Sequence, residues 1–109
     1  MMHIDIEELN HFCVIDVKGG VTLSYTTELK EVLLDALANH PDIEVRLQEV
    51  NEMDAAGIQV LWLAKREARQ LQKTLRYVEH NPVIIELLQI YNLIEEFGDS
   101  LPDHSREEG

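Results

Sequence analysis

The hydrophobic pattern of this chain switches between a period of two and a period of about 3.6. Residues 43–50 alternate apolar and polar side chains, which predicts a strand with one buried face. Helical spacing appears on both sides of that segment, in residues 29–37 and residues 58–71. Strands that alternate with helices are typical of an α/β domain with later parallel strands joined by right-handed crossovers.

The predicted elements follow the order β, β, α, β, α, β, α. Residues 3–8 predict a weak strand at best, whereas residues 11–18 are rich in β-branched and aromatic side chains. We expect that second strand to close in a turn at Gly19-Gly20. The last predicted strand covers residues 74–80.

Each predicted helix has a polar residue near its start that can accept hydrogen bonds from unpaired backbone amides. Ser24 or Thr26 can cap the first helix, and Asp54 is placed to cap the second. Asn81-Pro82 predicts the third start, because Asn caps and Pro suits the first helical position.

Charge excludes one large class of function. The net charge of −12 argues against nucleic-acid binding, which needs a basic surface. Residues 65–76 nevertheless carry about +4 and the remainder about −16. We expect a solvated helix flank there, and the alternative is docking of an acidic partner or a membrane surface.

Several other classes lack support in the sequence. No apolar run is long enough to cross a bilayer, and the first residues lack the features of a signal peptide, so a cytoplasmic protein is expected. Cys13, the only cysteine, is expected to be a buried, inert thiol. Without a phosphate-binding glycine loop, a nucleophile elbow or clustered metal ligands, we expect no catalytic residues, no metal and no cofactor.

One turn has a physical reason to matter for binding. Asp54-Ala55-Ala56-Gly57-Ile58 joins the end of a strand to the start of a helix. Its small side chains allow another protein to approach the backbone, and its amides form a positive helix end. The alternative is a capped helix that simply packs on the sheet.

Motifs in order along the chain resemble those of a STAS domain, the module of bacterial anti-sigma-factor antagonists and sulfate-transporter tails. They are Val50-Asn51-Glu52-Met53-Asp54-Ala55-Ala56-Gly57-Ile58, then Leu71–Val78, then Asn81-Pro82-Val83 with the following Leu87–Leu93. The resemblance runs from about Ile4 to Phe97. It implies a small mixed sheet of four to five strands with three or more helices mainly on one side. The STAS-like domain would cover residues 1–98, followed by a flexible polar tail at 99–109.

The resemblance also implies a binding surface and a lost switch. In the antagonists, a Ser or Thr just after the motif's Asp is phosphorylated by a partner kinase. Ala55 and Ala56 occupy those positions here, and Thr22 and Arg46 stand where acidic residues are usual. Phosphorylation at this turn is therefore not expected. The implied partner-binding residues are Asp54, Ala55, Ala56, Gly57, Ile58, Thr22 and Ser24.

Two functions remain open at this point. The first is a regulatory module that binds a kinase-like anti-sigma factor, a sensor or a chemotaxis component. The second is a structural subunit of a bacterial ABC lipid-transport ATPase. A nearby hydroxyl within residues 22–27 could instead accept phosphate, and Val60, Trp62 and Leu63 could pair two copies into a homodimer.

Overall fold

The computed structural model describes residues 1–79 and 81–90. A short 3₁₀ turn, Leu23–Tyr25, precedes the first helix. The strands and helices are β1 Met2–Glu8, β2 Phe12–Val21, α1 Thr26–Asn39, β3 Asp42–Arg46, β4 Val50–Met53, α2 Ala55–Gln70, β5 Thr74–Val78 and α3 Pro82–Ile90.

The five strands form one mixed sheet in which β2 is central. β1 pairs with β2 in antiparallel orientation, while β3 pairs with β2 and β5 pairs with β3 in parallel. β4 runs parallel to the last residues of β2, so β3 and β4 lie end to end along the same edge of that strand. The architecture confirms the predicted α/β fold with a small mixed sheet and three helices.

The core lies between one face of this sheet and the helices. Fully buried strand side chains such as Ile15, Val45 and Tyr77 contribute to the same core as Leu33 of α1 and Leu61 of α2. Alternate strand residues point to the other face, which is largely charged because no helix covers it within the described residues. This one-sided packing is the arrangement that the resemblance implied.

The strands predicted at residues 3–8 and 43–50 need correction. β1 is a regular strand of seven residues rather than a weak one. The single strand expected over residues 43–50 is two strands, separated by a turn in which the Val50 amide donates to the Leu47 carbonyl at 3.1 Å. Leu47 and Val50 are both buried on either side of that turn, which explains why apolar residues continue across the break.

β2 does not close at Gly19-Gly20 but continues to Val21. Gly19 has φ +84°, and a Cβ there would lie 2.1 Å from the Met1 carbonyl oxygen. The glycine therefore makes a bulge inside the strand, where pairing with β4 shifts register, rather than a turn at its end. The last strand ends at Val78 and not at residue 80, which lies outside the described residues.

The predicted cap of α1 is wrong, whereas the predicted cap of α3 is confirmed. Neither Ser24 nor Thr26 caps α1, because the cap position is Tyr25 without a side-chain hydrogen bond, and the Thr26 hydroxyl donates to the Leu23 carbonyl at 3.0 Å. Asn81 does cap α3, with its Oδ1 accepting from the Ile84 amide at 3.0 Å. The predicted tail at 99–109 lies outside the described residues.

Candidate partner-binding surface

The segment predicted to bind a partner, residues 54–58 (the Asp54 turn), lies where β4 ends and α2 begins. β4 runs parallel to the end of β2, so the loop that follows β2 reaches the same edge of the sheet. Two loops distant in sequence thus meet beside the start of α2.

Asp54 joins these two loops with a single carboxylate. Its Oδ1 accepts a hydrogen bond from the Gly57 amide at 3.0 Å, which confirms the predicted helix cap. Its Oδ2 accepts from the Leu23 amide, also at 3.0 Å, and its own amide donates to the Val21 carbonyl at 3.3 Å. The carboxylate therefore holds the 3₁₀ turn against the N-terminal end of α2.

Gly57 brings α2 into close contact with β2. A Cβ at this position would lie 2.5 Å from the Val21 carbonyl oxygen and 2.9 Å from the Val21 Cγ1. Because the nearer obstacle is backbone, no side-chain rotation could relieve the clash. Gly57 is thus required by packing and not by an unusual backbone angle.

The two alanines present methyl groups at the first turn of α2. Ala55 is exposed and Ala56 is half-buried. Neither side chain has a hydroxyl, so these two positions cannot be phosphorylated as a Ser or Thr could. Small side chains at an exposed helix start leave the backbone accessible to a close protein contact.

An open groove of about 270 Å³ adjoins the Asp54 turn between the starts of α1 and α2. Leu23 lies at this groove with 71% of its surface exposed, although it is a large apolar residue. Among the described residues that line the groove, Lys30 is the only charged one. The lining consists of Leu23, Thr26, Lys30, Ala56, Gln59, Val60 and Leu63.

The structure distributes the predicted site residues between surface and core. Thr22 and Ser24 flank Leu23, so both lie in the loop that Asp54 holds, with Ser24 exposed and Thr22 half-buried. Ile58 is only 3% exposed and packs in the core with Gly57, so these two residues position the turn without facing a partner. Sequence reasoning missed Leu23, whose signal was an apolar side chain inside an otherwise polar loop.

The residues considered for pairing two copies are largely covered by the protein itself. Val60 is buried, while Trp62 and Leu63 are half-buried. The Arg66 guanidinium lies 5.5 Å from the centre of the Trp62 ring, a cation–π contact on the surface of α2.

The basic stretch is not simply the solvated helix flank that we expected. Lys65 is 9% exposed, and its Nζ donates to the Leu75 carbonyl of β5 at 2.7 Å. Burial, followed by the nearby charges of Arg69 and Arg76, lowers the pKa of Lys65 to about 8. Lys73 donates to the Leu37 carbonyl at the end of α1.

Other candidate chemistry is sparse in the described residues. Cys13 is buried, and burial, together with the charge of Glu8, raises the pKa of its thiol, so the reactive thiolate is disfavoured. In residues 1–79 and 81–90, no three His, Cys, Asp or Glu side chains converge as metal ligands. No helix in the same residues has the length and apolar character needed to cross a membrane.

Comparison with known proteins gives a family match and a set of similar folds. A family model described as "Mlab, STAS domain" matches residues 4–99. No curated protein matches the sequence significantly.

Three solved structures illustrate the likeness of the fold. An anti-sigma factor antagonist from Mycobacterium paratuberculosis is 15% identical with a TM-score of 0.81, over 97% of this chain and 90% of its own. The Bacillus cell fate determinant SpoIIAA in its phosphorylated form is 14% identical with a TM-score of 0.71, over 97% and 98% respectively. A sulfate transporter family protein from Wolinella succinogenes is 22% identical with a TM-score of 0.65, over 79% and 70%. The TM-scores establish a common fold, and at these sequence identities the likeness extends to the fold alone.

Proposed function

The chain belongs to the STAS domain family, and on that premise we propose that it is a cytoplasmic, non-catalytic module that binds a signalling protein through the Asp54 turn and the adjoining groove. The observation that carries this proposal is the position of Leu23. An exposed leucine, fixed by the Asp54 carboxylate at the rim of a groove, is a ready contact for an apolar side chain of a partner.

Preorganisation supports this surface as a binding site. The hydrogen bonds that the Asp54 carboxylate accepts hold the two loops in place before a partner binds. A partner would then order few additional groups on binding, which reduces the entropic cost of association. The exposed methyl group of Ala55 beside the groove leaves room for a flat, close contact.

The proposed partner is a kinase-like anti-sigma factor or a related sensor or chemotaxis protein. Support comes from several solved structures of the same fold that are described as anti-sigma factor antagonists. Because Ala55 and Ala56 carry no hydroxyl, phosphorylation of the Asp54 turn does not control this interaction. We propose that binding is constitutive or regulated elsewhere, with the exposed hydroxyl of Ser24 a candidate acceptor in the loop that Asp54 holds.

The same two alanines favour a second candidate. A surface that cannot be switched by phosphorylation at its centre suits a permanent subunit as well as a regulator. In this alternative, the domain is a structural component of an ABC-type lipid-transport ATPase, and the groove holds the ATPase continuously.

Affinity purification from the native cell, with the wild type beside Ala55→Glu, tests the interface. We expect the partner to be lost with Ala55→Glu, because the substitution places charge and bulk in a contact shaped for a methyl group. A glutamate in the first helical turn is favourable for the helix itself, so loss of the partner would not reflect unfolding. Mass spectrometry of the co-eluting proteins identifies the partner and separates a kinase-like protein from an ATPase.

A matched control is Gln70→Glu, which makes the same change of charge at an exposed position in the last turn of α2. It should retain the partner. Retention of the partner by a double Ala55→Glu, Ala56→Glu variant would place the interface elsewhere and refute the proposal.

A further inference from the structure

β1 lies at one end of the sheet order and presents an edge with exposed apolar side chains. In residues 1–79 and 81–90, β1 pairs only with β2. Ile6 of β1 is 50% exposed, and Leu9, just after the strand, is 49% exposed. Ile6 nevertheless lies directly opposite Ile15, a fully buried residue of β2. The apolar face of the sheet therefore continues onto β1 and is exposed there.

The backbone groups at this edge belong to the even-numbered residues of β1. The Leu9 amide donates to the Phe12 carbonyl at 2.8 Å, and the Gly20 amide donates to the Met1 carbonyl at 3.3 Å. In an antiparallel pair, residues that bond to the neighbouring strand alternate with residues that do not. Since residues 1 and 9 bond to β2, the even-numbered residues between them direct their N–H and C=O groups towards the other edge.

We propose that this edge pairs with the same edge of a second copy of the chain, in antiparallel orientation about a two-fold axis at Ile4. Ile4 then faces Ile4 of the second copy, and Met2 faces Ile6. Because these residues direct their backbone groups outwards, each facing pair exchanges two N–H···O bonds. The half-exposed Ile6 side chain packs beside Met2 of the second copy, so the apolar face continues across the axis.

The charged residues on the opposite face of β1 fit the same alignment. His3 lies opposite Asp5 of the second copy, and Asp5 opposite its His3, in positions where side chains approach most closely. An imidazole donates an N–H to a carboxylate whether it is neutral or protonated. Both side chains are more than half exposed, and Lys18 of β2 lies 3.6 Å from Asp5, which adds positive charge beside the carboxylate.

Acidic residues disfavour the other alignments of the same two strands. Moving the axis to Asp5 would set two aspartates opposite each other, and moving it to Ile6 would set Asp5 opposite Glu7. Like charges directly opposite each other destabilise a strand pair. Moving the axis towards residue 1 would shorten the ladder and leave Ile6 exposed. Charged side chains on an edge strand also deter pairing with unrelated strands, so a second copy is the occupant that this edge favours.

Sedimentation velocity of the full-length chain over a range of concentrations tests the proposal. One pair of edge strands is a small interface, and the net charge of −12 on each copy opposes association. We therefore expect a reversible dimer with a dissociation constant on the order of 100 µM at an ionic strength of about 0.15 M. A protein that remains monomeric at about 1 mM would overturn the proposal.

Two exposed apolar residues provide a matched pair of variants. Ile6→Lys places a charge beside Met2 of the second copy and should weaken the dimer about tenfold or more. Leu71→Lys makes an equivalent change in a residue that is 45% exposed and precedes β5, at the other end of the sheet order. It should leave the dissociation constant unchanged. A thermal melt confirms that each variant is folded, and equal effects of the two substitutions would contradict pairing through β1.

An exchange of side chains across the axis tests the alignment itself. His3→Glu alone and Asp5→Lys alone should each weaken the dimer, because either change removes the donor–acceptor pair between the copies. The double variant His3→Glu, Asp5→Lys sets opposite charges against each other again and should recover affinity to within a few-fold of the wild type. A double variant that is no tighter than either single variant would refute an axis at Ile4 and with it the proposal.

Discussion

At the scale of single residues, the candidate partner-binding surface depends on Asp54 and Gly57. Asp54 links the start of α2 to the loop after β2, and Gly57 allows the two to approach. Neither residue needs to touch a partner in order to be essential for binding. Substitutions of these two residues should therefore change the free energy of unfolding before any effect on binding is considered.

Replacing Asp54 with Ala should lower the free energy of unfolding by about 1–2 kcal/mol, because two backbone amides lose their acceptor. Urea denaturation of the two proteins measures the difference. Asp54→Asn is the matched comparison: its single acceptor oxygen can keep the helix cap or the bond to Leu23 but not both, so it should recover only part of the loss. An Asp54→Ala protein as stable as the wild type would show that these hydrogen bonds add nothing to stability.

Gly57→Ala should destabilise the protein by about 1–3 kcal/mol, although alanine is ordinarily the better helix former. The reason is the 2.5 Å approach of the new Cβ to the Val21 carbonyl oxygen. Ala56→Gly is the matched control, and it should cost only about 1 kcal/mol through helix propensity. If Gly57→Ala instead raised the thermal midpoint, the close packing of α2 on β2 would be refuted.

Residue patterns predicted the local part of this site but not its long-range part. Asp54 follows a strand and precedes a helical pattern, and that arrangement is sufficient to predict a cap. The bond from Leu23 to Asp54 spans 31 positions, and no local pattern specifies it. This hydrogen bond depends on the parallel pairing of β4 with the end of β2. Because the sequence predicted one continuous strand over residues 43–50, it did not predict that pairing.

At the scale of elements, Lys65 connects α2 to β5 through its bond with the Leu75 carbonyl. A lysine on an otherwise polar flank gave no sequence signal of burial, because its long side chain can reach either solvent or a neighbouring strand. The position of Lys65 in α2 therefore did not predict whether its side chain would be exposed or buried. The side chain is buried because β5 places the Leu75 carbonyl within hydrogen-bonding distance.

The lowered pKa of Lys65 predicts a pH dependence of stability. Between the folded value of about 8 and the ordinary value of 10.5, the unfolded chain binds more protons than the folded one. Lys65 therefore makes the free energy of unfolding rise as the pH rises through this window. Lys65→Met, which keeps much of the side-chain volume, removes this contribution.

Urea denaturation at pH 7.5 and pH 10 measures that effect. We expect the wild type to gain stability relative to Lys65→Met by on the order of 2 kcal/mol over this interval. The raised pKa values of Cys13 and Tyr77 act in the opposite direction at high pH, but they are common to both proteins and cancel in the difference. A constant difference at the two pH values would contradict the prediction.

At the scale of the whole molecule, the two ends of α2 contribute to different parts of the surface. The candidate partner-binding surface lies at its first turn, while a pocket lined by Lys65, Arg69, Lys73 and Arg76 lies at its last turn and the start of β5. The sequence predicted the α/β class because strand and helix periods alternate clearly. It could not predict the placement of β4, because buried residues on both sides of the intervening turn continue the apolar pattern.

The side chain of Asn81 has a consequence for how the protein is made. Besides capping α3, its Nδ2 donates to the carbonyls of Leu47, Gln48 and Val50, in the gap between β3 and β4. During synthesis, the ribosome adds this residue after both strands and all of α2. A nascent chain therefore contains the complete Asp54 turn before it contains Asn81, whose side chain bonds to the carbonyl groups between β3 and β4. These three carbonyl groups receive their hydrogen bonds from Asn81 only after translation has passed that asparagine.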